Sequence, residues 1–307
     1  MLGPALLSAS RSERLRRLTV SSRPTRRVVD RFVAGETLAD AMTAIRRLGA
    51  AGLTVTLDHL GEDVDTAAAA TAARDAYLRA LDAIGRAGLG SVAEVSVKLS
   101  AFGQALAGGH ALALANAEAV AVAARDVGTT VTFDMEGSAT VDSTLDIHGS
   151  LHAAYPGTGV VLQSCLHRTP EDAAALAARG CRVRLVKGAY REPPAVALQR
   201  RRDVDRAFRE CLDTLMTGRG YPMVGSHDPR IVDHALRAAA AAGRPADSFE
   251  FQMLYGVRPQ EQRRLAAGNQ MRVYVPYGSD WYGYFMRRLA ERPANLLFFA
   301  RALVTRD

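Results

Sequence analysis

The sequence predicts an α/β protein built as a distorted (β/α)8 barrel of the TIM type, on three observations. Short runs rich in β-branched residues alternate with Ala-rich stretches of helical period from residue 51 onward. Eight such strand–helix units over roughly 250 residues are the layout of a closed parallel barrel. No GxGxxG motif follows the first run, so a doubly wound open sheet is the second choice.

The eight predicted strands are short apolar runs bounded by turn residues. They cover 53–57, 94–99, 129–133, 159–163, 182–186, 222–225, 249–253 and 271–275. The predicted helices are Ala-rich, and several begin with proline, which suits the first helical turn because the amide hydrogen there has no helical partner. They cover 65–87, 105–126, 141–153, 170–179, 194–216, 229–242 and 259–267.

The chain before the first strand has a different pattern. Residues 27–34 and 38–48 carry helical period without strands, so we predict a helical segment over 1–50 and a catalytic barrel over 51–307. The stretch 5–18 is rich in Arg and Ser and lacks a hydrophobic signal core. It is therefore interpreted as a basic amphipathic surface helix rather than a transit peptide.

Composition and charge exclude several classes of protein. Hydrophobic residues make up 48% of the chain and charged residues 23%, which is typical of a globular protein. No apolar run approaches the ~20 residues that span a bilayer. The net charge of +7 is spread along the chain, which argues against a nucleic-acid-binding tract. Three cysteines without CxxC spacing predict no disulfide framework and favour a reducing compartment.

Two positions hold the only lysines among 39 basic residues, Lys98 and Lys187. Lysine is a compact point charge whose pKa shifts readily on burial. Both lysines follow predicted strands, at the barrel end where catalytic groups lie. Other polar residues share this location: Asp58, Glu62, Asp134, Glu136, Gln163, Arg184, Ser226, His227, Asp228, Gln252 and Tyr274. Because buried polar groups must pair with one another or with a ligand, we interpret this rim as the functional site.

The stretch 271–295 predicts a strand, a break at Pro276, Tyr277 and Gly278, and a final helix that begins at Trp281. The helical period places Tyr284, Arg287, Arg288 and Glu291 on one face. Guanidinium presents donors in a fork that matches a carboxylate. The paired arginines therefore predict a clamp for a small anion, with a solvated helix face as the alternative.

The predicted rim is strongly cationic and lacks the pattern of a metal site, since scattered carboxylates and one histidine give neither a zinc nor a facial-triad set. It also lacks GxSxG and P-loop motifs. The first hypothesis is a barrel enzyme that binds an anionic cofactor and a small carboxylate substrate. The alternatives are a Schiff-base aldolase with Lys187 or Lys98 as nucleophile, and an Arg-rich nucleic-acid binder.

A family resemblance narrows these hypotheses. The sequence contains, in order, SVKLSAFG, TFDMEGS, VVLQSCLHRTPED, RLVKGAYREP, SHDPR, FEFQMLYGVR and VYVPYGSDWYGYFMRRLAERPAN. Over about residues 50–300 these runs resemble the proline dehydrogenases, which are FAD-dependent enzymes that oxidise L-proline to Δ1-pyrroline-5-carboxylate. The length implies the monofunctional bacterial form. The resemblance also implies a distorted barrel whose last helix lies over the carboxyl ends of the strands.

The resemblance assigns expected roles to individual residues. Asp134 and Arg184 would be catalytic, with Arg184 near the flavin N5 that receives hydride from proline C5. Substrate contacts would come from Lys98, Leu254, Tyr274, Tyr284, Arg287 and Arg288, and Glu62 would gate the site by pairing with a clamp arginine. FAD would contact Met135, Val161, Gln163, Lys187, Gly188, Ala189, Ser226 and His227. Ser226 departs from the family, which usually has Thr there.

The resemblance also implies partners and a location. Electrons would pass to a membrane quinone, so we expect a cytoplasmic protein in peripheral contact with the inner face of the cell membrane. The product would be handed to a pyrroline-5-carboxylate dehydrogenase. No nucleic-acid partner and no metal are expected. Lys187 as a cofactor contact leaves the Schiff-base aldolase as the remaining alternative.

Overall fold

The computed structural model describes residues 29–62 and 64–291, with side chains through Met286. Within that range, eight parallel strands form a closed barrel in sequence order, and β1 completes the closure by pairing with β8. The strands are β1 (Thr54–His59), β2 (Ala93–Lys98), β3 (Val131–Asp134), β4 (Gly159–Gln163), β5 (Arg182–Val186), β6 (Tyr221–Gly225), β7 (Glu250–Leu254) and β8 (Gln270–Tyr277).

In residues 29–62 and 64–291, helices alternate with the strands and one helix precedes the first strand. They are α1 (Leu38–Ala50), α2 (Ala67–Arg86), α3 (Gly109–Asp126), α4 (Val141–His152), α5 (Thr169–Ala178), α6 (Arg201–Thr217), α7 (Pro229–Ala241), α8 (Pro259–Ala266) and α9 (Trp281–Glu291). Short 3-10 turns at Leu99–Phe102 and Ser138–Thr140 follow β2 and β3. The predicted barrel is confirmed, with two strands, 159–163 and 182–186, at the predicted bounds.

The predicted helix over 194–216 was wrong in its first seven residues, because α6 begins at Arg201. Residues 196–198 instead form an isolated antiparallel bridge with the loop after β4. The amide of His167 donates to the carbonyl of Val196 at 3.0 Å, and the amide of Leu198 donates to the carbonyl of Cys165 at 2.7 Å. These long-range hydrogen bonds use groups that a helix would have paired within itself.

The predicted start of the helix over 105–126 was also early. Gly108 adopts a left-handed conformation with φ of 68° immediately before α3 begins at Gly109. The amide of Gly109 donates to the carbonyl of Leu106, so residues 105–108 form a turn. Glycine takes this conformation without steric cost, and it therefore separates the turn from the helix.

The strands alternate between two kinds of buried side chain. Apolar residues such as Val55, Val95 and Phe251 are buried and pack with the surrounding helices in one continuous core. The residues between them are polar and equally buried, including Thr56, Glu94 and Ser96. Since successive side chains point to opposite faces of a strand, the apolar set lies between sheet and helices and the polar set fills the barrel interior.

The first and last described segments pack together over the β1 end of the rim. A small apolar cluster contains Phe32 and Leu60 together with Trp281, Tyr284 and Phe285 of α9. The Phe285 ring centroid lies 6.0 Å from that of Trp281 and 6.4 Å from that of Phe32. Because Leu60 directly follows β1, α9 lies over a carboxyl strand end, as predicted.

The predicted division at residue 50 stays a prediction, since residues 1–28 lie outside the described part. Within the described part, α1 ends at Ala50 and packs against β1 and β8. Its amino terminus carries a capping box, in which the hydroxyl of Thr37 accepts from the amide of Asp40 and the carboxylate of Asp40 accepts in return. No helix in residues 29–62 and 64–291 has the length and hydropathy needed to cross a membrane.

Candidate active site

The upper part of the barrel interior contains a cluster centred on Asp134, the last residue of β3. Arg184 donates from Nη1 to Oδ1 of Asp134 at 2.6 Å, and the hydroxyl of Tyr274 donates to Oδ2 at 2.7 Å. The Nζ atom of Lys98 lies 3.9 Å from the same carboxylate. Strands β2, β3, β5 and β8 each supply one residue, so barrel closure brings distant sequence positions into contact.

Arg184 is oriented by several strands at once. Its Nε donates to Gln252 of β7 at 2.5 Å, and its Nη1 also donates to the hydroxyl of Ser96 on β2 at 3.0 Å. The guanidinium carbon lies 5.3 Å from the ring centroid of Tyr274, within cation–π range. The side chain is 4% exposed, and within the described residues its Nη2 has no hydrogen-bond partner. This nitrogen faces the carboxylate of Glu94, which lies 3.6 Å away.

A second charged layer lies below this cluster, around Glu94. Its carboxylate accepts from Thr56 at 2.9 Å, from Thr132 at 3.2 Å and from Arg182 at 3.0 Å. Burial opposes ionisation, but the guanidiniums of Arg272, Arg182 and Arg184 outweigh it and lower the pKa of Glu94 to about 2. This layer lies beneath Arg184, and the Nη2 atom of Arg184 is 3.6 Å from the carboxylate of Glu94.

Lys98 lies among three carboxylates on one side of the rim. Its Nζ is 3.0 Å from Asp58 and 3.4 Å from Glu62, in addition to its approach to Asp134. Burial favours the neutral amine, but the pull of Asp58 and the other acidic groups raises the pKa of Lys98 well above its usual range. The ammonium is therefore charged at pH 7, which suits ion pairing rather than nucleophilic attack.

The pKa values of two neighbours of Lys98 are also shifted. Burial raises the pKa of Asp58, against the lowering effect of Lys98. Burial and the nearby charge of Asp134 raise the pKa of Tyr274 well above its usual range. Tyr274 therefore keeps its proton and remains a hydrogen-bond donor to Asp134.

Lys187, the second lysine, follows β5 and occupies a different position on the rim. Its Nζ donates to Asp205 of α6 at 2.5 Å and to Asp228 at 3.1 Å. Asp228 also caps α7 by accepting from the amide of Arg230 at 3.1 Å. An ammonium held between two carboxylates is a positioned cation, and this geometry opposes a Schiff-base role, which requires a neutral amine.

The predicted cofactor residues lie at the adjoining ends of β3 to β6. Gln163 is 2% exposed and donates from Nε2 to the backbone carbonyl of Glu136 at 2.8 Å. Gly188 has φ of 105°, and a Cβ there would lie 2.3 Å from Sγ of Cys165, so only glycine fits. Met135 and Val161 are buried, whereas Ala189 is exposed.

Two further predicted cofactor residues follow β6. The hydroxyl of Ser226 accepts from the amide of Asp228 at 3.2 Å. Nε2 of His227 accepts from the amide of Leu254 at 2.9 Å, so the imidazole is neutral with its proton on Nδ1 in this arrangement. This bond also positions Leu254, a predicted substrate contact, beside the β6 end.

The structure brings together only part of the predicted substrate site. Lys98, Tyr274 and Glu62 meet at the rim, and Tyr284 is buried in α9. Glu62 contacts Lys98; its predicted arginine partner is not described. The α9 backbone includes Arg287 and Arg288, but their side chains lie outside the described residues.

Sequence reasoning missed the roles of several residues that organise this site. Glu94 and Gln252 position Arg184 from inside the barrel, and Asp205 with Asp228 holds Lys187. Asp58, Asp228 and Gln252 were noted at strand ends but given no role. The signal for Glu94 was present, because an acid inside an apolar strand requires a buried cation.

A third missed contact joins two loops over the rim. Glu192 lies in the 187–200 loop after β5, and its carboxylate accepts from the amide of Ser138 at 2.7 Å and from its hydroxyl at 2.6 Å. Ser138 belongs to the loop after β3. We call this contact the Glu192–Ser138 strap; it ties together the loops on either side of the β4 end.

Fold and site together define the class of protein: a (β/α)8-barrel enzyme with a buried, charged cluster at the carboxyl ends of its strands. A family model described as proline dehydrogenase matches residues 41–301. The chain belongs to the proline dehydrogenase family, and it is an oxidoreductase.

Two relatives support the same family. Proline dehydrogenase 1 of Bacillus subtilis is 38% identical over 281 residues, which cover 91% of this chain and 92% of the relative. Proline dehydrogenase of Deinococcus radiodurans is 40% identical over 283 residues, which cover 90% of each chain.

Solved structures share the fold. A proline utilization A protein from Bdellovibrio bacteriovorus, inactivated by N-propargylglycine, superposes with a TM-score of 0.80 at 23% identity, over 87% of this chain and 33% of that one. A proline utilization A mutant from Bradyrhizobium japonicum superposes with a TM-score of 0.73 at 27% identity, over 91% of this chain and 32% of that one. This chain thus spans about a third of the length of those larger proteins.

Proposed function

We propose that this protein oxidises L-proline to Δ1-pyrroline-5-carboxylate, the first step of proline catabolism, with FAD as its cofactor. The observation that carries the proposal is the Arg184–Asp134–Tyr274 cluster, buried at the strand ends of a chain that belongs to the proline dehydrogenase family. FAD, when bound, supplies the electron acceptor that removes a hydride from proline C5.

The rim has the chemistry that a flavin requires. The guanidinium of Arg184 is buried and fixed beside Asp134, and its positive charge suits the electron-rich isoalloxazine. Lys187 offers positive charge for the phosphates. The other groups proposed to hold FAD are Met135, Val161, Gln163, Gly188, Ala189, Ser226 and His227.

The protein's own residues prepare the substrate position. Asp134 is fixed by Arg184 and Tyr274, so its carboxylate does not rotate when a ligand arrives. Lys98 contributes a buried cation beside it. A fixed charge arrangement lowers the cost of reorganisation during reaction. We therefore propose Asp134 and Arg184 as catalytic residues, with Lys98, Tyr274, Tyr284 and Leu254 around proline.

The proposed clamp for the proline carboxylate is Arg287 with Arg288, and Glu62 gates the site. Support comes from the family motif and from α9, which is separated from the end of β8 by three residues. Arg288→Lys removes the bidentate fork and retains the charge, so KM for proline should rise by about tenfold or more, equivalent to ~1.4 kcal/mol. An unchanged KM would reject the clamp.

The decisive experiment is the visible spectrum of the purified protein, recorded anaerobically before and after adding L-proline. A two-banded flavin spectrum that bleaches with L-proline, and does not bleach with D-proline, supports cofactor, substrate and reaction together. Arg184→Lys should retain the flavin bands and bleach slowly. A protein that is colourless and takes up no added FAD would reject the proposed function.

The proposed electron acceptor is a membrane quinone. The basic stretch 5–18, which lies outside the described residues, would bring the protein to the inner face of the cell membrane through anionic lipids. Co-sedimentation with anionic vesicles should fall after deletion of residues 1–20, while bleaching by proline should persist. Equal sedimentation of both forms would refute membrane contact through this stretch.

The proposed recipient of the product is a pyrroline-5-carboxylate dehydrogenase. Support comes from relatives named bifunctional PutA, such as the Escherichia coli protein, which is 28% identical over 314 residues covering 89% of this chain and 24% of that protein. Mixing the two active enzymes should give a shorter lag before the second product appears than free diffusion of the intermediate allows, and an excess of an inactive variant of this protein should lengthen the lag again. An unaltered lag would exclude direct transfer.

A further inference from the structure

A second cluster of reactive side chains lies at the opposite end of the barrel from the candidate active site. His148 and His152 are on the last turns of α4, and Cys181 directly precedes β5. One ligand atom from each of these three residues lies within 4.8 Å of the others. The candidate active site occupies the carboxyl ends of the strands, so this cluster is separate from it.

The helix aligns the two imidazoles. Residues four apart lie on the same face of a helix, and the ring centroids are 5.3 Å apart with an interplanar angle of 31°. His148 is fully buried. Its Nε2 lies 3.4 Å from the carbonyl oxygen of Thr158; this contact favours the proton on Nε2 and leaves a lone pair on Nδ1.

Both imidazoles present a nitrogen that nothing satisfies. In the described part of the chain, Nδ1 of His148 and Nδ1 of His152 are buried and without a hydrogen-bond partner. A buried lone pair without a donor costs free energy, so most such atoms in native proteins are paired. Two of them in one cluster, beside a thiol, point to a shared ligand.

The backbone fixes the position of the thiol. Cys181 is 1% exposed, its amide donates to the carbonyl of Leu176, and its carbonyl accepts from the amide of Tyr221, both at 3.1 Å. It forms no disulfide. The sulfur is therefore held facing α4 by strand β5, whereas His152 is partly exposed and has room to adjust.

We propose that His148, His152 and Cys181 form a three-ligand site for a thiophilic metal ion with a filled d shell, either Zn²⁺ or Cu⁺. Two imidazole nitrogens and a thiolate are a donor set that such ions accept. Metal bonds of about 2.0–2.3 Å require the three ligand atoms to close by roughly 1 Å. Binding forms a metal–sulfur bond and releases the thiol proton to solvent, without transfer of electrons.

The positive charge of Arg179 affects the binding of Zn²⁺ and Cu⁺ differently. Burial lowers the pKa of both His148 and His152, and the positive charge of the Arg179 guanidinium lowers it further. One thiolate neutralises Cu⁺ completely, whereas it leaves Zn²⁺ with a net charge of +1 beside this arginine. The electrostatic environment therefore favours Cu⁺ relative to a site without Arg179.

The sequence predicted no metal site because the histidines and Cys181 belong to separate βα units. The spacing of His148 and His152 on a helix is a common ligand pair, but a pair of ligands does not define a site. Only the return of the chain through α5 brings the thiol to them.

The test is a competition titration of the untagged, reduced holoenzyme against chromophoric chelators, with Zn²⁺ in one arm and Cu⁺ under anaerobic conditions in the other. We expect one ion per chain in at least one arm, with sulfur in the first coordination shell by X-ray absorption. Cys181→Ser should weaken binding at least tenfold and remove the sulfur signal. His152→Gln should also weaken binding at least tenfold. Because His152 is only partly buried, this variant tests the site at a position where a substitution disturbs the core less than at Cys181.

Cys211→Ser is the matched control, since Cys211 is also free and buried but lies on α6 outside the cluster. This variant should bind the ion as the original chain does. Binding that survives both Cys181→Ser and His152→Gln, a coordination shell without sulfur, or the absence of one tightly held ion in both arms would each overturn the proposal.

Discussion

Arg184 combines three demands in one side chain: it pairs with Asp134, stacks on Tyr274 and donates to Gln252. A planar guanidinium can meet them together because its donors are fixed in one plane. Sequence reasoning identified Arg184 through the family motif and expected it at a strand end, whereas the structure places it in the middle of β5, inside the barrel. The partners Ser96 and Gln252 required the folded barrel, because they come from the distant strands β2 and β7.

Arg184→Lys should lower kcat/KM for proline on the order of 10²-fold, the usual effect of removing one fixed donor from an active site. The ammonium can reach Asp134 but cannot also bond Gln252. Steady-state kinetics measure the effect. Arg182→Lys is the control, since it alters the lower layer without touching Asp134; a similar loss in that variant would mean that Arg184 acts only through stability.

At the scale of elements, loops decide which strand ends are covered. The predicted helix over 194–216 began too early because residues 196–198 bond to the loop after β4, and no local pattern records such a bond. Pro193 and Pro194 gave a local indication of a break, but proline is also favoured in a first helical turn. The Glu192–Ser138 strap and the α9 cluster are likewise contacts between segments far apart in sequence.

Glu192→Ala should release the strap. Its two bonds are partly exposed, so we expect a loss of about 1–2 kcal/mol in the local opening free energy, or roughly 5–30-fold faster amide exchange over residues 187–200. Hydrogen-exchange mass spectrometry measures this. Ser138→Ala removes one of the two bonds and should have a smaller effect in the same region; unchanged exchange in both variants would show that the strap contributes nothing.

Phe285→Ala should weaken the attachment of α9. The ring is fully buried against Phe32 and Trp281, and removal of a buried phenylalanine ring costs about 3–5 kcal/mol. We expect increased exchange in α9 and a higher KM for proline. Phe285→Leu, which retains most of the volume, should cost about 1 kcal/mol. A local effect no larger than that of the leucine variant would contradict this packing.

At the scale of the whole molecule, the barrel interior is an ionic network rather than an apolar filling. Glu94 on β2 joins Thr56 on β1, Thr132 on β3 and Arg182 on β5, and Arg272 on β8 lies 3.8 Å away. Because the members come from five strands, the network forms only when the barrel closes. It therefore links barrel stability to the ionisation of Glu94.

The folded pKa of Glu94, about 2, lies below its ordinary value of 4.5. The carboxylate thus contributes stability above pH 4.5, and this contribution is lost as the pH falls toward 2. A difference of this size corresponds to about 3 kcal/mol. Glu94→Gln should destabilise the protein by about 3–5 kcal/mol at pH 7, because it leaves buried guanidiniums without their partner.

The cost of Glu94→Gln should shrink as the pH is lowered from 5 toward 3, because Glu94 of the unfolded original protein then takes up a proton while the folded carboxylate stays charged. Denaturant unfolding at several pH values measures the difference. Glu118→Gln is the control, since Glu118 is exposed on α3. This substitution should leave the dependence of the unfolding free energy on pH unaltered. A cost that stays constant with pH would show that folding does not lower the pKa of Glu94.

The sequence by itself determined the barrel, because alternation of strand and helix is a local property of apolar period and turn residues. It also placed Lys98 and Asp134 at strand ends, which parallel strands bring to one rim. Tertiary structure alone decided which charges pair, that Lys187 lies between Asp205 and Asp228, and that Cys181 faces two histidines. These contacts join separate units, and their geometry depends on barrel closure, which no local sequence pattern specifies.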